Sequence, residues 1–466
     1  MTNRNRIYLC LAHMSDDGVE QRYVKEAFDT NWVVPLGPNV NAFENDLEKF
    51  VNLNANDNLL ETSGTSDQGR ANKRVVALSS GTAAVHLALI ACGVGPGDEV
   101  LVQSFTFCAS SHPITYLGAT PVFIDSEKET WNMDPELLET AIKDRIAKTG
   151  KKPKAIIPVA LYGMPYKIDK IMEIANRYEI PVIEDAAEGF GSRFNGQVLG
   201  TFGKYGVLSF NGNKMITTSG GGALITENED EWREIMMYAT QYRESYPYYQ
   251  HEKIGYNYRM SNICAGIGRG QMTVVNDHIA HHKHVQALYE ELLADVKGVT
   301  VHKQPNLNDN VNGNHNQYDS NYWLCTITLD PELRIKGQEN AYKEVVKGAV
   351  GGAAGVIHVA ESAITDCQPN DNVEALRVFM DAAGIEARPV WKPMHCQPVY
   401  RRGEVKSEEL RVKNEEVICQ TSGTSVAYIN GVSEEVFKVG MCLPAGPYVS
   451  DDDVKYIVQC IKDAIE

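Results

Sequence analysis

Two side chains in the middle of the chain are of types that could act on a flat, cationic ligand. Lys214, in the segment SFNGNKMITTSGGG, follows a predicted strand, and such a lysine could form a Schiff base with an aldehyde if a cationic aromatic ring lowered its pKa. Asp185 closes the apolar segment IPVIED, and a carboxylate there could hold a protonated ring nitrogen, with Ala186 and Ala187 leaving room for the ring. A solvated surface lysine and a helix-capping aspartate are the alternative interpretations.

The segment Ser79-Ser80-Gly81-Thr82 could bind a phosphate group without a basic residue. It is followed directly by the apolar run AAVHLALIA, which predicts a helix. Glycine allows the backbone to approach an anion, the first amides of a helix point outward, and the hydroxyl groups add donors. Because Ser and Thr are also the commonest N-cap residues, the segment alone favours a phosphate site and a simple cap about equally.

Phe107, in the segment SFTFCASS, follows another predicted strand, where its ring could stack on a planar ligand. Taken alone it would be interpreted as a core phenylalanine. The combination is more informative, because a phosphate cup, an aromatic ring, an acid and a lysine follow one another along the chain. Pyridoxal phosphate needs these four parts, and we therefore predict it as the cofactor.

The elements that must position these residues alternate between short apolar runs and helical stretches. This pattern predicts an α/β fold with a doubly wound, mainly parallel sheet, whose ligands lie at the carboxyl ends of the strands. Predicted strands are 99–103, 120–125, 155–160, 182–185, 205–210 and 222–226, and predicted helices are 82–92, 135–147 and 170–178. We expect a large domain over residues 1–276 and a smaller C-terminal α/β domain over residues 277–466.

Three polar segments with few periodic apolar residues are predicted to be surface insertions, at 52–73, 304–320 and 402–428. The first and third share the pentapeptide TSGTS, but their surroundings do not repeat. We interpret this similarity as chance composition in loops.

Composition excludes several classes of function. The 466 residues carry a formal charge of −17, which argues against binding to nucleic acids or to anionic membrane surfaces. The ten cysteines are scattered without a CxxC pair, so their spacing predicts neither a zinc site nor a disulfide scaffold. No apolar run is long enough for a secretory signal or a membrane span, so we expect a cytoplasmic protein. No GxGxxG opens a helix after a strand, which argues against a dinucleotide site.

Longer motifs extend over nearly the whole chain apart from the three insertions and a stretch near 349–372. They are HMSDDGVEQRYVKEAFDTNWVVPLGPNV, LSSGTAAVHLAL, TPVFIDSEKETWNMDPE, VIEDAAEGFGS, LSFNGNKMITTSGGGALIT, KIGYNYRMSN and RPVWKPMHCQPVY. With these motifs the sequence resembles the DegT/StrS-type sugar-nucleotide aminotransferases, which are fold-type I pyridoxal-phosphate enzymes. Within them it looks most like the transaminases that make UDP-4-amino-4,6-dideoxy-N-acetylglucosamine, the bacillosamine precursor.

The resemblance implies a role for each matching residue. Lys214 would form the Schiff base with pyridoxal 5'-phosphate and shuttle a proton, and Asp185 would keep the pyridine nitrogen protonated. Glu188, at a position that is often Gln in the family, would contact the ring hydroxyl. The remaining cofactor contacts would be the phosphate ligands Gly81, Thr82 and Ser209, the stacking ring Phe107, and Asn257 from the other subunit.

The resemblance also implies a homodimer with shared active sites and two small-molecule substrates, L-glutamate and a UDP-linked keto sugar. The matching substrate-binding positions are Asn31, Trp32, Arg259, Lys392 and His395, although packing between the lobes is an equally good interpretation of several of them. The sequence departs from the family where Ala160-Leu161-Tyr162-Gly163 replaces a common His-Leu-Tyr-Gly, which puts a role for that histidine in doubt.

These residues imply that the amino group of L-glutamate moves to the 4-keto carbon of a nucleotide-linked 6-deoxy sugar, UDP-4-keto-6-deoxy-N-acetylglucosamine being the first choice. The amino sugar would enter a surface polysaccharide or another glycan. Alternatives are a 3-keto sugar, a dTDP- or GDP-linked sugar, and a non-catalytic nucleotide-sugar-binding protein. Related sugar dehydratases carry His at the lysine position, so Lys214 argues against that reaction.

Overall fold

A computed structural model describes residues 5–53, 73–305, 317–342, 367–412 and 415–466. Within these residues the α-helices are α1 Val19–Asp29, α2 Pro38–Asn52, α3 Gly81–Ala91, α4 His112–Tyr116, α5 Pro135–Thr149, α6 Ile168–Tyr178, α7 Glu229–Ala239, α8 Asn262–Met272, α9 Val275–Leu292, α10 Asp371–Ala382, α11 Val432–Val439 and α12 Asp451–Ala464. The strands are β1 Arg74–Leu78, β2 Glu99–Gln103, β3 Thr120–Ile124, β4 Ala155–Ile157, β5 Ile183–Asp185, β6 Arg193–Phe194, β7 Gln197–Val198, β8 Tyr205–Ser209, β9 Gly222–Thr226, β10 Val299–Val301, β11 Tyr318–Asp319, β12 Cys325–Leu329, β13 Arg388–Pro389, β14 Lys406–Val412, β15 Glu415–Thr421, β16 Val426–Ile429 and β17 Gly440–Leu443.

The large sheet forms from strands that are apolar on both faces. One set of strands runs in the order β1-β9-β8-β5, and a second runs β14-β15-β16-β3-β2-β4. Parallel bridges from Ile156 to Val182 and from Val159 to Asp185 join β4 to β5, so the two sets make one continuous sheet. Its centre, from β8 to β16, is parallel, while both ends are antiparallel. The prediction of a mainly parallel α/β sheet is confirmed.

Helices cover both faces of this sheet, and their caps follow from the sequence. Ser80 caps α3 by accepting a hydrogen bond from the Ala83 amide at 3.0 Å. Asp134 caps α5 by accepting hydrogen bonds from the Glu136 and Leu137 amides, and Pro135 in the first turn has no N–H group that would need an acceptor. The six predicted strands and three predicted helices all lie within three residues of the observed elements or coincide with them.

The C-terminal part of the chain builds a second, antiparallel sheet of order β10-β12-β17-β13. Helices α9, α10 and α12 bury their apolar sides against it and form a separate hydrophobic core around Tyr289, Leu376, Met441 and Ile457. This agrees with the expected smaller α/β lobe. A third, small sheet of order β11-β6-β7 lies beside the large one.

The structure corrects the prediction for 402–428. This segment contains β14, β15 and most of β16, and β16 pairs in parallel with β3. The error has a physical cause, because β15 buries only one face: Val417 and Cys419 are buried, whereas Ile418 between them is exposed. The expected C-terminal domain therefore contributes three strands to the sheet of the large domain.

The other two predicted insertions lie mostly outside the described residues, as does most of 349–372. Of 304–320, the described part includes β11, which pairs with β6. The strand β1, which begins directly after the 52–73 segment, was not predicted. Among the described helices, none has the length and apolar character required to cross a bilayer.

Candidate active site

A cavity of about 330 Å³ lies at the carboxyl ends of β5 and β8, beside the first turn of α3. Seven of the predicted cofactor-binding residues line it, namely Gly81, Thr82, Phe107, Asp185, Glu188, Ser209 and Lys214. Its other polar and aromatic lining residues include Ser79, Ser80, Thr106, Ser110, Asn211, Asn213, Trp323 and Trp391. This is the edge at which an open α/β sheet places its ligands.

Lys214 lies in the turn after β8, where its amide donates to the Asn211 carbonyl at 3.0 Å. Its Nζ is 3.5 Å from Oε1 of Glu188 and 4.0 Å from the centre of the Trp323 ring. Only 13% of the side chain is exposed. The amine is thus held inside the cavity by one carboxylate and one aromatic face, which favour a cation there.

Asp185 is buried at the end of β5 and is held by two donors. Ser110 Oγ donates to Oδ2 at 2.6 Å, and the Ala187 amide donates to Oδ1 at 3.1 Å. Burial raises the pKa of Asp185, while these hydrogen bonds and the charge of Lys214 oppose that rise. A carboxylate fixed in this way can accept a further cationic donor inside the cavity.

Glu188 is also buried, and burial raises its pKa, with the charge of Lys214 the main opposing influence. Its Oε2 accepts a hydrogen bond from the Tyr162 amide at 2.7 Å. Tyr162 has a left-handed backbone with φ 55°, and its hydroxyl oxygen accepts a hydrogen bond from the Trp391 amide at 2.7 Å. The Ala160–Gly163 segment therefore positions Glu188 and the loop of Trp391 through Tyr162.

The predicted phosphate cup lies where α3 begins. A Cβ atom at Gly81 would lie 3.1 Å from Cβ and 3.4 Å from Oγ of Ser209, which is tighter than an ordinary van der Waals contact and favours glycine here. Gly81 and Thr82, at the start of α3, and Ser209, at the end of β8, line the same space, so backbone amides and hydroxyl groups are available there. A helix N-terminus with such donors favours an anion.

Two aromatic rings form the outer wall. The Phe107 side chain is 53% exposed although it lines the cavity, and its ring centre lies 6.1 Å from that of Trp391. An exposed phenylalanine loses the stabilisation of burial, so its position suits stacking on a bound ring better than a role in the core.

Two predicted substrate residues lie in buried polar contacts outside the cavity. The Arg259 guanidinium forms an ion pair with Glu44 and donates to the Ala77 carbonyl at 3.0 Å. His395 is 3% exposed, with Nδ1 2.6 Å from Ser104 Oγ and Nε2 3.1 Å from Glu434 Oε1. Within one chain neither side chain lines the cavity, and contacts of Arg259 and His395 with substrate remain predictions.

The remaining predicted residues also lie outside this cavity. Lys392 Nζ donates to the Cys367 carbonyl at 2.8 Å. Asn31, with φ 60°, and Trp32, 40% exposed, lie on the surface after α1. Asn257 is exposed and pairs through its backbone with Thr240. Direct contacts of these four residues with substrate or cofactor remain predictions.

Several residues of the site were not singled out from the sequence. Ser110 lies in the segment SFTFCASS, three residues after Phe107, and this spacing does not indicate that its hydroxyl group reaches Asp185. Trp323 comes from the C-terminal half of the chain, and its Nε1 donates to the Asn213 carbonyl at 2.6 Å. No local pattern marks it, because its partner is distant in sequence.

The residues present fit pyridoxal phosphate. The space above Gly81 that a Cβ would fill, with donors at one helix end, suits the phosphate group. At the other side a buried carboxylate, Asp185, and the amine of Lys214, whose side chain is 13% exposed, suit the ring nitrogen and the aldehyde of a pyridine ring. Gly81, Thr82, Ser209, Phe107, Asp185, Glu188 and Lys214 would hold this cofactor.

Comparisons with known proteins agree with this chemistry. The sequence profile of the DegT/DnrJ/EryC1/StrS aminotransferase family matches residues 68–349. The chain is 38% identical to a putative pyridoxal phosphate-dependent aminotransferase, EpsN, of Bacillus subtilis, covering 98% of this chain and 95% of that protein. It is 32% identical to the GDP-perosamine synthase of Caulobacter vibrioides, covering 90% and 92% of the two chains.

The fold is shared with solved structures at lower identity. A putative sugar aminotransferase of Streptococcus pneumoniae, in its PLP form, superposes with a TM-score of 0.73 at 21% identity and covers 98% of both chains. A DegT DnrJ EryC1 StrS aminotransferase from Brucella abortus superposes with a TM-score of 0.71 at 24% identity, covering 96% of this chain and 95% of the other. The chain thus belongs to the DegT/DnrJ/EryC1/StrS aminotransferase family, with the fold of the type I pyridoxal-phosphate enzymes, and it is a sugar aminotransferase that depends on pyridoxal phosphate.

Proposed function

We propose that the protein transfers the amino group of L-glutamate to the 4-keto carbon of a nucleotide-linked 6-deoxy sugar, with UDP-4-keto-6-deoxy-N-acetylglucosamine as the acceptor. The amino sugar would be used in the synthesis of a surface polysaccharide or another glycan. The observation that carries the proposal is the convergence of Lys214, Asp185 and the Gly81–Ser209 cup on one cavity.

Each of these residues has a separate task. Bound pyridoxal phosphate supplies an aldehyde that captures amines and a ring that accepts the electrons of a carbanion. Lys214 Nζ removes the α-proton of glutamate and, in the second half of the reaction, delivers a proton to the sugar carbon that carried the ketone. Asp185 holds a proton at the ring nitrogen, and Glu188 orients the Lys214 amine.

The acceptor is the less constrained part of the proposal. Similar proteins include GDP-perosamine synthases and a UDP-2-acetamido-2-deoxy-3-oxo-D-glucuronate aminotransferase of Pseudomonas aeruginosa, 34% identical over 261 residues. These relatives favour, as a second candidate, a GDP-linked or a 3-keto sugar nucleotide. The reaction with L-glutamate is the same in each case.

Absorbance spectroscopy separates the two halves of the proposal. L-Glutamate should shift the absorbance band of the bound cofactor. After glutamate has been removed, the correct keto sugar should restore the original band. UDP-4-keto-6-deoxy-N-acetylglucosamine is tested against a UDP-linked 3-keto sugar and against GDP- and dTDP-linked 4-keto-6-deoxy sugars. Failure of UDP-4-keto-6-deoxy-N-acetylglucosamine after a normal response to glutamate would refute the acceptor, whereas no response to glutamate would refute the donor.

A pair of lysine variants tests the role of Lys214 directly. Lys214→Ala should lose both the Schiff-base absorbance and turnover, because the amine is removed. The control Lys170→Ala changes an exposed lysine on α6 and should keep both. Full turnover in Lys214→Ala would contradict the proposal.

We also propose that Asn257 acts in the active site of a second subunit of a homodimer. In its own chain it is exposed and does not line the cavity, while the apolar side chains of Phe28 in α1 and of Leu36 after α1 are 60% and 54% exposed. Large apolar side chains left exposed in one chain are candidates for a subunit contact.

Mixed dimers test the shared site. A dimer of one Lys214→Ala subunit and one Asn257→Ala subunit contains one fully intact site if Asn257 acts across the interface. Mixing the two inactive variants under exchange conditions should then restore activity. Without restoration, while tagged subunits show that mixed dimers have formed, Asn257 acts in its own chain or not at all.

A further inference from the structure

Two buried cysteines and a glutamate meet outside the catalytic cavity. Cys367 lies just before α10, Cys396 ends the short 3-10 turn Met394–Cys396, and Glu434 lies in the first turn of α11. The two sulfur atoms and one carboxylate oxygen are all within 4.8 Å of one another. None of the three residues lines the catalytic cavity, so the mechanism leaves them without a task.

The grouping cannot be seen in the sequence, because its members come from three distant segments. Each cysteine side chain is 4% exposed, and Glu434 keeps 30% of its side chain exposed. Burial excludes competing water from the sulfur atoms, while the exposed carboxylate leaves a route for an ion to enter.

The atoms are of the types that bind a zinc-like cation. Thiolate, carboxylate and imidazole groups are the usual ligands of Zn²⁺, with metal-ligand distances of about 2.0–2.3 Å. In a tetrahedral site of those dimensions the ligand atoms are roughly 3.5–3.8 Å apart. Small side-chain rotations would bring the present cluster to that spacing.

Neighbouring residues hold two of the three ligands in place. His395 Nε2 lies 3.1 Å from Glu434 Oε1, and its Nδ1 lies 2.6 Å from Ser104 Oγ. Lys392 Nζ donates to the carbonyl of Cys367 at 2.8 Å. Such hydrogen bonds orient metal ligands and are part of a well-built site.

We infer that Cys367, Cys396 and Glu434 form a binding site for one divalent cation of the zinc type, with His395 positioning the carboxylate. On binding, the cation releases the two thiol protons to solvent, forms two metal-sulfur bonds and one metal-oxygen bond with the protein, and keeps one water molecule as its fourth ligand. The site ties the loop that carries Trp391 in the catalytic cavity to α10 and α11. Its task is structural, since it fixes one wall of the cavity.

Cobalt is the probe, because it replaces zinc and reports thiolate ligands directly. Reduced, metal-stripped holoenzyme is titrated with Co²⁺ and then with Zn²⁺. We expect one Co²⁺ per chain, thiolate-to-cobalt charge-transfer bands, and loss of these bands when Zn²⁺ is added. This measurement needs no variant and no knowledge of the sugar substrate.

Variants assign the ligands. Cys367→Ser, Cys396→Ser and Glu434→Gln should each weaken cobalt binding by at least about tenfold, and both cysteine variants should weaken the charge-transfer bands. His395→Gln should weaken binding without removing those bands. The matched control is Cys419→Ser, which changes a cysteine that is 3% exposed in β15 and should leave binding and spectrum unchanged. Circular dichroism identifies any variant that fails to fold.

Two results would overturn the inference. The first is that the reduced native protein shows no charge-transfer bands and binds no stoichiometric metal. If a disulfide reagent then joins Cys367 to Cys396, the two cysteines form a disulfide pair and not a metal site. The second is binding that survives in folded Cys367→Ser and Cys396→Ser alike.

Discussion

The Nζ atom of Lys214 lies 3.5 Å from Oε1 of Glu188, and the two side chains are 13% and 4% exposed. The second carboxylate oxygen of Glu188 accepts a hydrogen bond from the Tyr162 amide. One carboxylate therefore connects the amine of the site to the left-handed segment that holds the loop of Trp391. Substitutions at Glu188 can remove the charge of its carboxylate and the hydrogen bond from Tyr162 separately.

Glu188→Gln should keep the hydrogen bond from Tyr162 and lose the charge beside Lys214. We expect a roughly tenfold slower half-reaction with L-glutamate, which corresponds to about 1.4 kcal/mol, and little change in stability. Glu188→Ala should in addition leave the buried Tyr162 amide unpaired, at about 1–3 kcal/mol of unfolding free energy. Stopped-flow absorbance and urea unfolding measure the two effects, and equal stability losses in both variants would contradict this division.

Asp185→Asn should lower turnover by at least about a hundredfold, because it replaces a buried charge that faces the cofactor site. Ser110→Ala should have a smaller effect of roughly tenfold, since the carboxylate keeps its hydrogen bond from Ala187. Steady-state kinetics with saturating cofactor give both values. An equally large loss of turnover in Ser110→Ala and Asp185→Asn would mean that Ser110 alone positions the Asp185 carboxylate.

Gly222→Ala should destabilise the protein and weaken cofactor binding, because a Cβ there would collide with the backbone nitrogen of Gly81. The collision involves backbone on both sides, so a loss of about 1–3 kcal/mol is expected. Gly220→Ala is the matched control in the same glycine run, where a Cβ meets no atom within 4 Å. The Gly222→Ala apoenzyme should melt at a lower temperature than the Gly220→Ala apoenzyme. Equal melting temperatures would contradict the expected collision between a Cβ at position 222 and the Gly81 backbone.

Acidification should destabilise the protein through His282 of α9. Its side chain is fully buried beside the Tyr322 carbonyl, and burial lowers its pKa to about 3. In the unfolded chain His282 takes up a proton near pH 6.5, whereas in the folded chain it stays neutral until the pH approaches 3. Its contribution to the free energy of unfolding is therefore complete above pH 6.5 and is lost as the pH falls toward 3. At pH 5 the loss is about 2 kcal/mol.

Urea unfolding at pH 7 and pH 5 measures this loss. His278 and His281, on the same helix, also have pKa values lowered by burial and add to the effect in the native protein. His282→Gln should remove the share that belongs to His282, whereas His284→Gln, at a site 51% exposed, should not. An unchanged pH dependence in His282→Gln would contradict this assignment.

The central strands and the residues at their ends could be predicted from the sequence because their signals are local. Strands such as 99–103 and 222–226 are buried on both faces and read as short apolar runs. Asp185 ends one predicted strand and Lys214 follows another within a few residues, so predicting these strands also predicted the edge at which the two residues meet. Gly81 was predicted from its own Ser-Ser-Gly-Thr segment and the helix after it, because the strand before it was not predicted. Recognition of the family added Ser209 and Glu188, which have no local signal of their own.

The rest depends on contacts between distant parts of the chain. Trp323 reaches Lys214 from the C-terminal half, and His395 contacts Ser104 and Glu434 in preference to the cavity. Arg259 is neutralised by Glu44, which lies on α2 far from it in sequence. The family resemblance implied substrate contacts for Arg259 and His395, but only the fold shows which partners they have within the chain.

The pairing of β16 with β3 has a consequence for synthesis of the protein. Among the residues that the structure describes, β16 is the strand that pairs with one edge of β3, where Val426–Tyr428 lie opposite Val122–Ile124. While the chain emerges from the ribosome, this edge stays open until nearly the whole protein has been made, and open strand edges promote association with other chains. Folding of the catalytic half is therefore completed late, and a protein cut at the apparent domain boundary would expose a strand that the intact chain covers.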